Sequence, residues 1–369
     1  MNQQPNRTER NMGPTGNAVN VIQIHPTLRC NLRCRHCYSV SGPEQTRELP
    51  VEALEVLLGE VVEEGFNAVG VSGGEPLTYR PLPRLLASAR SQGLFTTVTT
   101  NGLLLSERRL EAIAPHVSLL AISIDGTRRS HDHLRGEGAF DRMQARLAGV
   151  RDAGVPFGLI FTLTLHNLHE LAGAAAFAVA EGARLLQIHP LEQVGRAREQ
   201  GLVPPDDAEL AYAFLEVARL QQEYGDRLSF QLDVADRPLI EREPCRAFAV
   251  STPDLRGIEE LPLATLVSPL VLQEDGAVVP VQHGFGSDYA IAHLNRGSFR
   301  TQAARWKREQ YPRFLALSRG VWAELRERPE HLPFTNWYAA ITEASRRPRG
   351  LPIVEPRRSV GAAMREQVL

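Results

Sequence analysis

The sequence predicts an α/β fold built on a parallel sheet with helical crossovers. Short apolar runs of strand length alternate with amphipathic stretches of helix length, giving six strand–helix units in about 200 residues. The strand-like runs are near-continuous in apolar residues, as strands covered on both faces require. Hydrophobic residues make up 43% of the 369, enough for a large buried core, which excludes wholesale disorder.

Val21 to His25 reads as the first strand. Val51 to Glu64 follows with apolar residues at helical spacing behind Pro50. Ala68 to Val71 is a buried strand, Leu82 to Gln92 a helix stopped by Gly93, and Leu94 to Thr100 a strand rich in β-branched residues. Ser106 is placed to cap the next helix. Val117 to Ile124 is a strand, Phe140 to Ala153 a helix, Phe157 to Leu165 a strand, Leu168 to Glu181 an Ala-rich helix, and Leu185 to His189 the sixth strand. Beyond these come an amphipathic helix from Ala208 to Tyr224 and a hairpin, Leu270 to Gln273 and Ala277 to Val281, around Gly276. The last 70 or so residues read as helical, ending in a Pro- and Arg-rich tail from Arg346. Periodicity alone does not separate an open doubly wound sheet from a partial barrel.

Charge is near balance, with 41 basic and 43 acidic residues. From Asn295 onward 15 basic face 7 acidic residues, but the Arg are scattered and lack an aromatic-interleaved motif, which argues against nucleic acid. No run approaches the ~20 apolar residues of a membrane span. Residues 1–20 are polar and lack the apolar stretch of a signal peptide. These features predict a cytoplasmic protein without a membrane partner. The basic residues comprise 40 Arg and a single Lys, Lys307.

The four cysteines divide unevenly: Cys30, Cys34 and Cys37 fall within eight residues, and Cys245 stands alone. A tight cluster in a reducing compartment reads as metal-binding or redox rather than as a disulfide scaffold. Soft thiolates on one loop suit an iron–sulfur cluster or zinc. A cubane cluster usually takes four Cys, so three leave one iron open. The alternative is a zinc site completed by His36 or His25.

Cys30-x3-Cys34-x2-Cys37-Tyr38 on the loop after the first strand, together with Gly73-Gly74-Glu75-Pro76 ending the second, resembles the radical S-adenosylmethionine (SAM) enzymes. Thr99-Thr100-Asn101-Gly102 and Ser123-Ile124-Asp125-Gly126 resemble that family's third and fourth strand ends; Thr162 to Asn167 and His189-Pro190-Leu191 are weaker matches. The resemblance covers roughly residues 20–195. It implies a partial (β/α)6 TIM-like barrel with its site at the carboxyl ends of the strands, a single [4Fe-4S] cluster on Cys30, Cys34 and Cys37, and SAM on that cluster. The implied SAM contacts are Tyr38, Gly73, Gly74, Glu75, Pro76, Thr100, Asn101, Ser123, Asp125, Thr162, His189 and Leu191.

Val194-Gly195-Arg196-Ala197 and the 274–280 hairpin resemble the SPASM subfamily, but the Cys expected after Pro280 is Val281, and Cys245 is the lone Cys of the C-terminal half. The resemblance therefore implies a smaller α+β, SPASM-like extension without auxiliary clusters; His283 and His293 are poor substitutes as ligands. The expected organisation is a polar segment (1–20), the core barrel (21–200), the extension (201–345) and a loose tail (346–369). Cys245 is either a buried structural thiol or a hydrogen-atom donor, and Glu192 and Glu199 are candidate proton-transfer groups.

The implied function is hydrogen abstraction by a 5′-deoxyadenosyl radical, acting on a ribosomal peptide, with a ferredoxin or flavodoxin as electron donor. A small sugar or amino-acid metabolite in natural-product assembly, as in an epimerase, is the alternative, favoured by the missing auxiliary clusters and by the absence of a recognisable peptide-binding domain in the ~20 residues before the first strand. A noncatalytic zinc-binding interaction protein is the third reading.

Overall fold

The computed structural model describes residues 19–242, 257–327 and 334–347. Its strands are β1 (Val21–Ile24), β2 (Ala68–Val71), β3 (Phe95–Thr100), β4 (Leu119–Ile124), β5 (Phe157–Leu163), β6 (Leu185–Pro190), β7 (Ser229–Leu232), β8 (Ala235–Asp236), β9 (Leu270–Leu272), β10 (Ala277–Pro280), β11 (Ala292–His293) and β12 (Phe334–Thr335). Ten of them form one sheet in the order β11-β10-β9-β1-β2-β3-β4-β5-β6-β7. From β1 to β7 every pairing is parallel. The sheet does not close, so the barrel is partial.

The expected strands and helices are present within a residue or two of their predicted ends. The crossover helices bury one stripe each: Leu54, Leu57, Leu58 and Val61 on Val51–Glu63, and Met143, Leu147 and Val150 on Ala139–Asp152. At about 1.5–3 kcal/mol per fully buried aliphatic side chain, these stripes are the main force holding helices to sheet. Ser106 precedes its helix without a side-chain capping bond. Two features had no readable signal: β7, only four residues long with exposed Ser229 and Gln231, and the two-residue pairing of β8 with β12.

The C-terminal hairpin is part of the same sheet. β9 pairs parallel with β1 (Ile22 opposite Leu270, Ile24 opposite Leu272), and β10 returns antiparallel beside β9. Three helices, Phe299–Glu309, Tyr311–Glu327 and Trp337–Ser345, complete the described part of the extension.

The single lysine ties the extension to the barrel. Lys307 Nζ donates to Glu64 Oε2 at 2.9 Å and to the Leu261 carbonyl at 2.7 Å, and the Leu263 N–H donates to the same Glu64 oxygen. Both side chains are buried. Removing one member of such a pair strands the other charge, which costs about 3–5 kcal/mol. Lys307→Met is therefore expected to lower denaturant-measured stability by that amount. A loss below about 0.5 kcal/mol, the range of neutral surface changes, would contradict this role.

Candidate active site

The loop that leaves β1 carries Cys30, Cys34 and Cys37, all free thiols; Cys30 is buried and the others half-buried. It is anchored at both ends: the Cys30 N–H donates to the Gly42 carbonyl and the Leu49 N–H to that of Pro26. The Gly-Gly-Glu-Pro segment after β2 packs directly on it. Gly74 N donates to Thr27 O at 2.9 Å and Glu75 N to Arg29 O at 2.8 Å. A Cβ on Gly74 would lie 2.2 Å from the Arg29 carbonyl oxygen, and Gly73 sits at φ +101°. Glycine is required here because two backbones touch, and at Gly73 because the left-handed region strains any other residue. Gly74→Ala should force the cysteine loop aside, costing roughly 1–3 kcal/mol of overpacking. Reduced iron incorporation together with a lowered melting temperature is the expected result.

Glu75 is buried, and its carboxylate accepts from the Leu77 and Asn101 N–H groups and the Thr100 hydroxyl. Burial pushes this carboxyl above its ordinary range, although those bonds oppose the shift. Glu75 and Thr100 thus clamp the ends of β2 and β3 together. Pro76 opens the short 3₁₀ turn Pro76–Thr78. Asn101 reaches the cysteine loop, donating to Asn31 Oδ1 at 2.9 Å with Cys30 Sγ 3.9 Å away.

Strand pleating sorts the remaining candidates. Thr162 on β5 lies opposite His189 on β6, and Ser123 on β4 lies opposite Ile160, two residues before Thr162, so all three occupy one face of the sheet. His189 Nδ1 pairs with Asp233 at 3.2 Å, and its Nε2 is 3.8 Å from Glu192. Leu191 instead packs in a small apolar cluster with Leu134, Ala197 and Leu202. Glu192 points inward and accepts from Gln282, and burial raises its carboxyl, whereas Glu199 is exposed. His293 lies apart on β11, where it caps Asn295. Cys245 lies outside the described residues.

Asp125, at the end of β4, is fully buried and accepts from Arg135 (2.5 Å from Nε) and from the Thr162 N–H. His36 of the cysteine loop lies 3.5 Å from Asp125 and 3.3 Å from Arg135. Sequence reading singled out Asp125 but missed Arg135, whose only signal was a position ten residues downstream on a polar helix. Arg196 was noted as part of a motif without a role. Its guanidinium donates to the carbonyls of Cys34 and Ser41 and its N–H to that of Cys37, while a Cβ on Gly195 would lie 2.4 Å from the Tyr38 carbonyl. The Val194–Ala197 segment therefore clasps the cysteine loop from β6.

These residues fit an iron–sulfur cluster. Burial, above all, pushes the Cys30 thiol up to about 12 and also raises Cys34, with Arg135 opposing at Cys34. Such thiols become thiolates only against a metal charge. His36 is engaged by Asp125 and Arg135 rather than turned to complete a zinc site.

Residues 24–178 match the Radical SAM superfamily profile. Over that segment the chain is similar to radical SAM enzymes. Curated relatives include an AdoMet-dependent heme synthase of Methanosarcina barkeri, 34% identical over 52% of this chain and 56% of the relative. A PqqA peptide cyclase of Methylocella silvestris is 32% identical over 54% and 55%. Among solved structures, SuiB of Streptococcus suis bound to its precursor peptide SuiA superposes with a TM-score of 0.60 at 16% identity, covering 87% of this chain and 70% of that one. The chain spans about half the length of the curated relatives it matches. Among the described residues no helix is long and apolar enough to cross a membrane.

Proposed function

We propose that the protein is a radical SAM enzyme that modifies a peptide, with one [4Fe-4S] cluster on Cys30, Cys34 and Cys37. The observation that carries this reading is the three-thiol loop held between the Gly73–Gly74 turn and the Gly195–Arg196 clasp at the carboxyl end of the sheet. Held there, a cluster with SAM would supply radical chemistry able to remove a hydrogen atom from a substrate C–H bond. The chain's part is placement. Arg135 and Arg196 set positive charge beside the thiolates, and the strand-end clamps hold the loop rigid. Ser123, Thr162 and His189 line the face on which SAM would lie, and Glu192 is placed to hold or move a proton at the rim. A ferredoxin or flavodoxin would deliver the electron.

The peptide assignment draws on the SPASM-like hairpin, on PqqA peptide cyclases among the relatives and on the likeness to SuiB with its peptide. The relatives named heme synthases, at identities up to 34%, favour a second reading, a small-molecule substrate. The test is anaerobic reconstitution followed by iron, sulfide and 5′-deoxyadenosine analysis after reduction with SAM. About four irons and reductant-dependent 5′-deoxyadenosine are expected. Zinc without SAM cleavage would refute the enzyme, and deuterium transfer into 5′-deoxyadenosine from a labelled small metabolite but from no labelled peptide would refute the peptide.

A further inference from the structure

Beside the cysteine loop, where β1 meets the C-terminal hairpin, three other ligand-bearing side chains converge. His25 directly follows β1, Glu274 sits in the β9–β10 turn and His283 follows β10. Each offers one donor atom, and the three atoms lie within 4.8 Å of one another. The placement is built by the backbone. His25 N donates to Leu272 O at 2.9 Å across the β1–β9 ladder, and Gly284 N donates to Gln273 Oε1 at 2.7 Å, folding the segment after β10 back over the turn. The two imidazoles stack with centroids 5.0 Å apart, and His283 Nε2 lies 3.2 Å from Glu274 Oε2.

A second, separate observation points to a missing ligand. His25 is fully buried, its Nε2 has only a long 3.4 Å contact with the Tyr38 hydroxyl, and its Nδ1 has no hydrogen-bond partner among the described residues. A buried ring nitrogen without a partner has lost its water and gained nothing in exchange, so such atoms call for an explanation. Neutral imidazole is the form that ligates metals. Two imidazoles and one carboxylate are a donor set for divalent first-row transition metals, and three protein ligands leave a position open.

We propose that His25, Glu274 and His283 bind a divalent transition cation, separate from the thiol site, that joins β1 to the extension hairpin. The small separation suits a mononuclear ion. Glu274 and His283 are only partly buried, which leaves a route for loading. Tyr38, next to Cys37, lies edge-on to His283 with centroids 5.3 Å apart, so the ion would rest against the cysteine loop without sharing its ligands.

The experiment uses the full chain reconstituted with iron and sulfide, exposed to Zn²⁺, desalted and analysed for both metals, with thermal melting alongside. The expected result is one zinc per chain and a raised melting temperature in the wild type. In Glu274→Gln and His283→Gln, zinc affinity should fall at least about tenfold, iron and sulfide should stay unchanged, and the zinc-dependent rise should vanish. Unchanged cluster content reports that the variants have folded. The Cys30→Ala, Cys34→Ala, Cys37→Ala triple variant separates the two sites: zinc retained there supports the proposal. Zinc lost there, zinc retained in both ligand variants, or no zinc in the wild type overturns it, whatever the fate of SAM cleavage.

Discussion

Cys34→Ala is expected to bring cluster iron down from about four per chain and 5′-deoxyadenosine formation below detection, with far-ultraviolet circular dichroism close to wild type. The thiol is half-buried and the loop's hydrogen bonds run through backbone, so the fold survives the loss of one sulfur. Two cysteines cannot present the three-point face that leaves a single iron open. The effect is large because the hard chemistry belongs to the cofactor, and nothing else in the site replaces it. Full iron content and turnover in this variant would show that Cys34 is not a ligand.

Asp125→Ala is expected to destabilise the protein by roughly 3–5 kcal/mol, because it leaves the Arg135 guanidinium buried without its carboxylate and frees the Thr162 N–H. Asp125→Asn keeps one acceptor oxygen, within reach of the Thr162 N–H and Arg135 Nη2, but turns its NH2 toward Arg135 Nε; it should cost less than Ala. Burial alone would raise the Asp125 carboxyl; the Arg135 guanidinium, with His36, outweighs it and holds the group well below the usual carboxylate range. The sign follows: a carboxyl depressed in the folded state stabilises above its unfolded value of about 3.9 and loses that contribution as pH falls through the folded one. Wild-type stability should therefore drop more steeply than that of Asp125→Ala below about pH 4. Parallel pH profiles from denaturant titrations would contradict the pairing.

Much of the site is legible in the chain order because it is assembled from strand ends. Cys30 to Tyr38, Gly73 to Pro76, Thr100–Asn101 and Ser123 to Asp125 each follow an apolar run, and parallel pairing brings all those ends to one edge of the sheet. What each group does was less legible. Glu75 is occupied by Leu77, Thr100 and Asn101, and Leu191 lies in an apolar cluster, details that depend on rotamers and neighbours rather than on position in a motif. Glu199 and Glu192 look alike in sequence, yet one faces solvent and the other is held by Gln282, 90 residues away.

By itself the sequence determined the parallel sheet, the three-plus-one division of the cysteines and the edge on which the candidate site lies. Those features are local: hydrophobic period, glycine at backbone contacts and ligand spacing act within a few residues. Only the tertiary structure decided that the extension hairpin joins β1, that Lys307 answers Glu64, that Arg135 and Arg196 face the cysteine loop, and that His25 meets Glu274 and His283. Those partners stand from about 100 to about 260 residues apart in the chain, and a charge or an imbalance of donors carries no mark of which distant group will satisfy it.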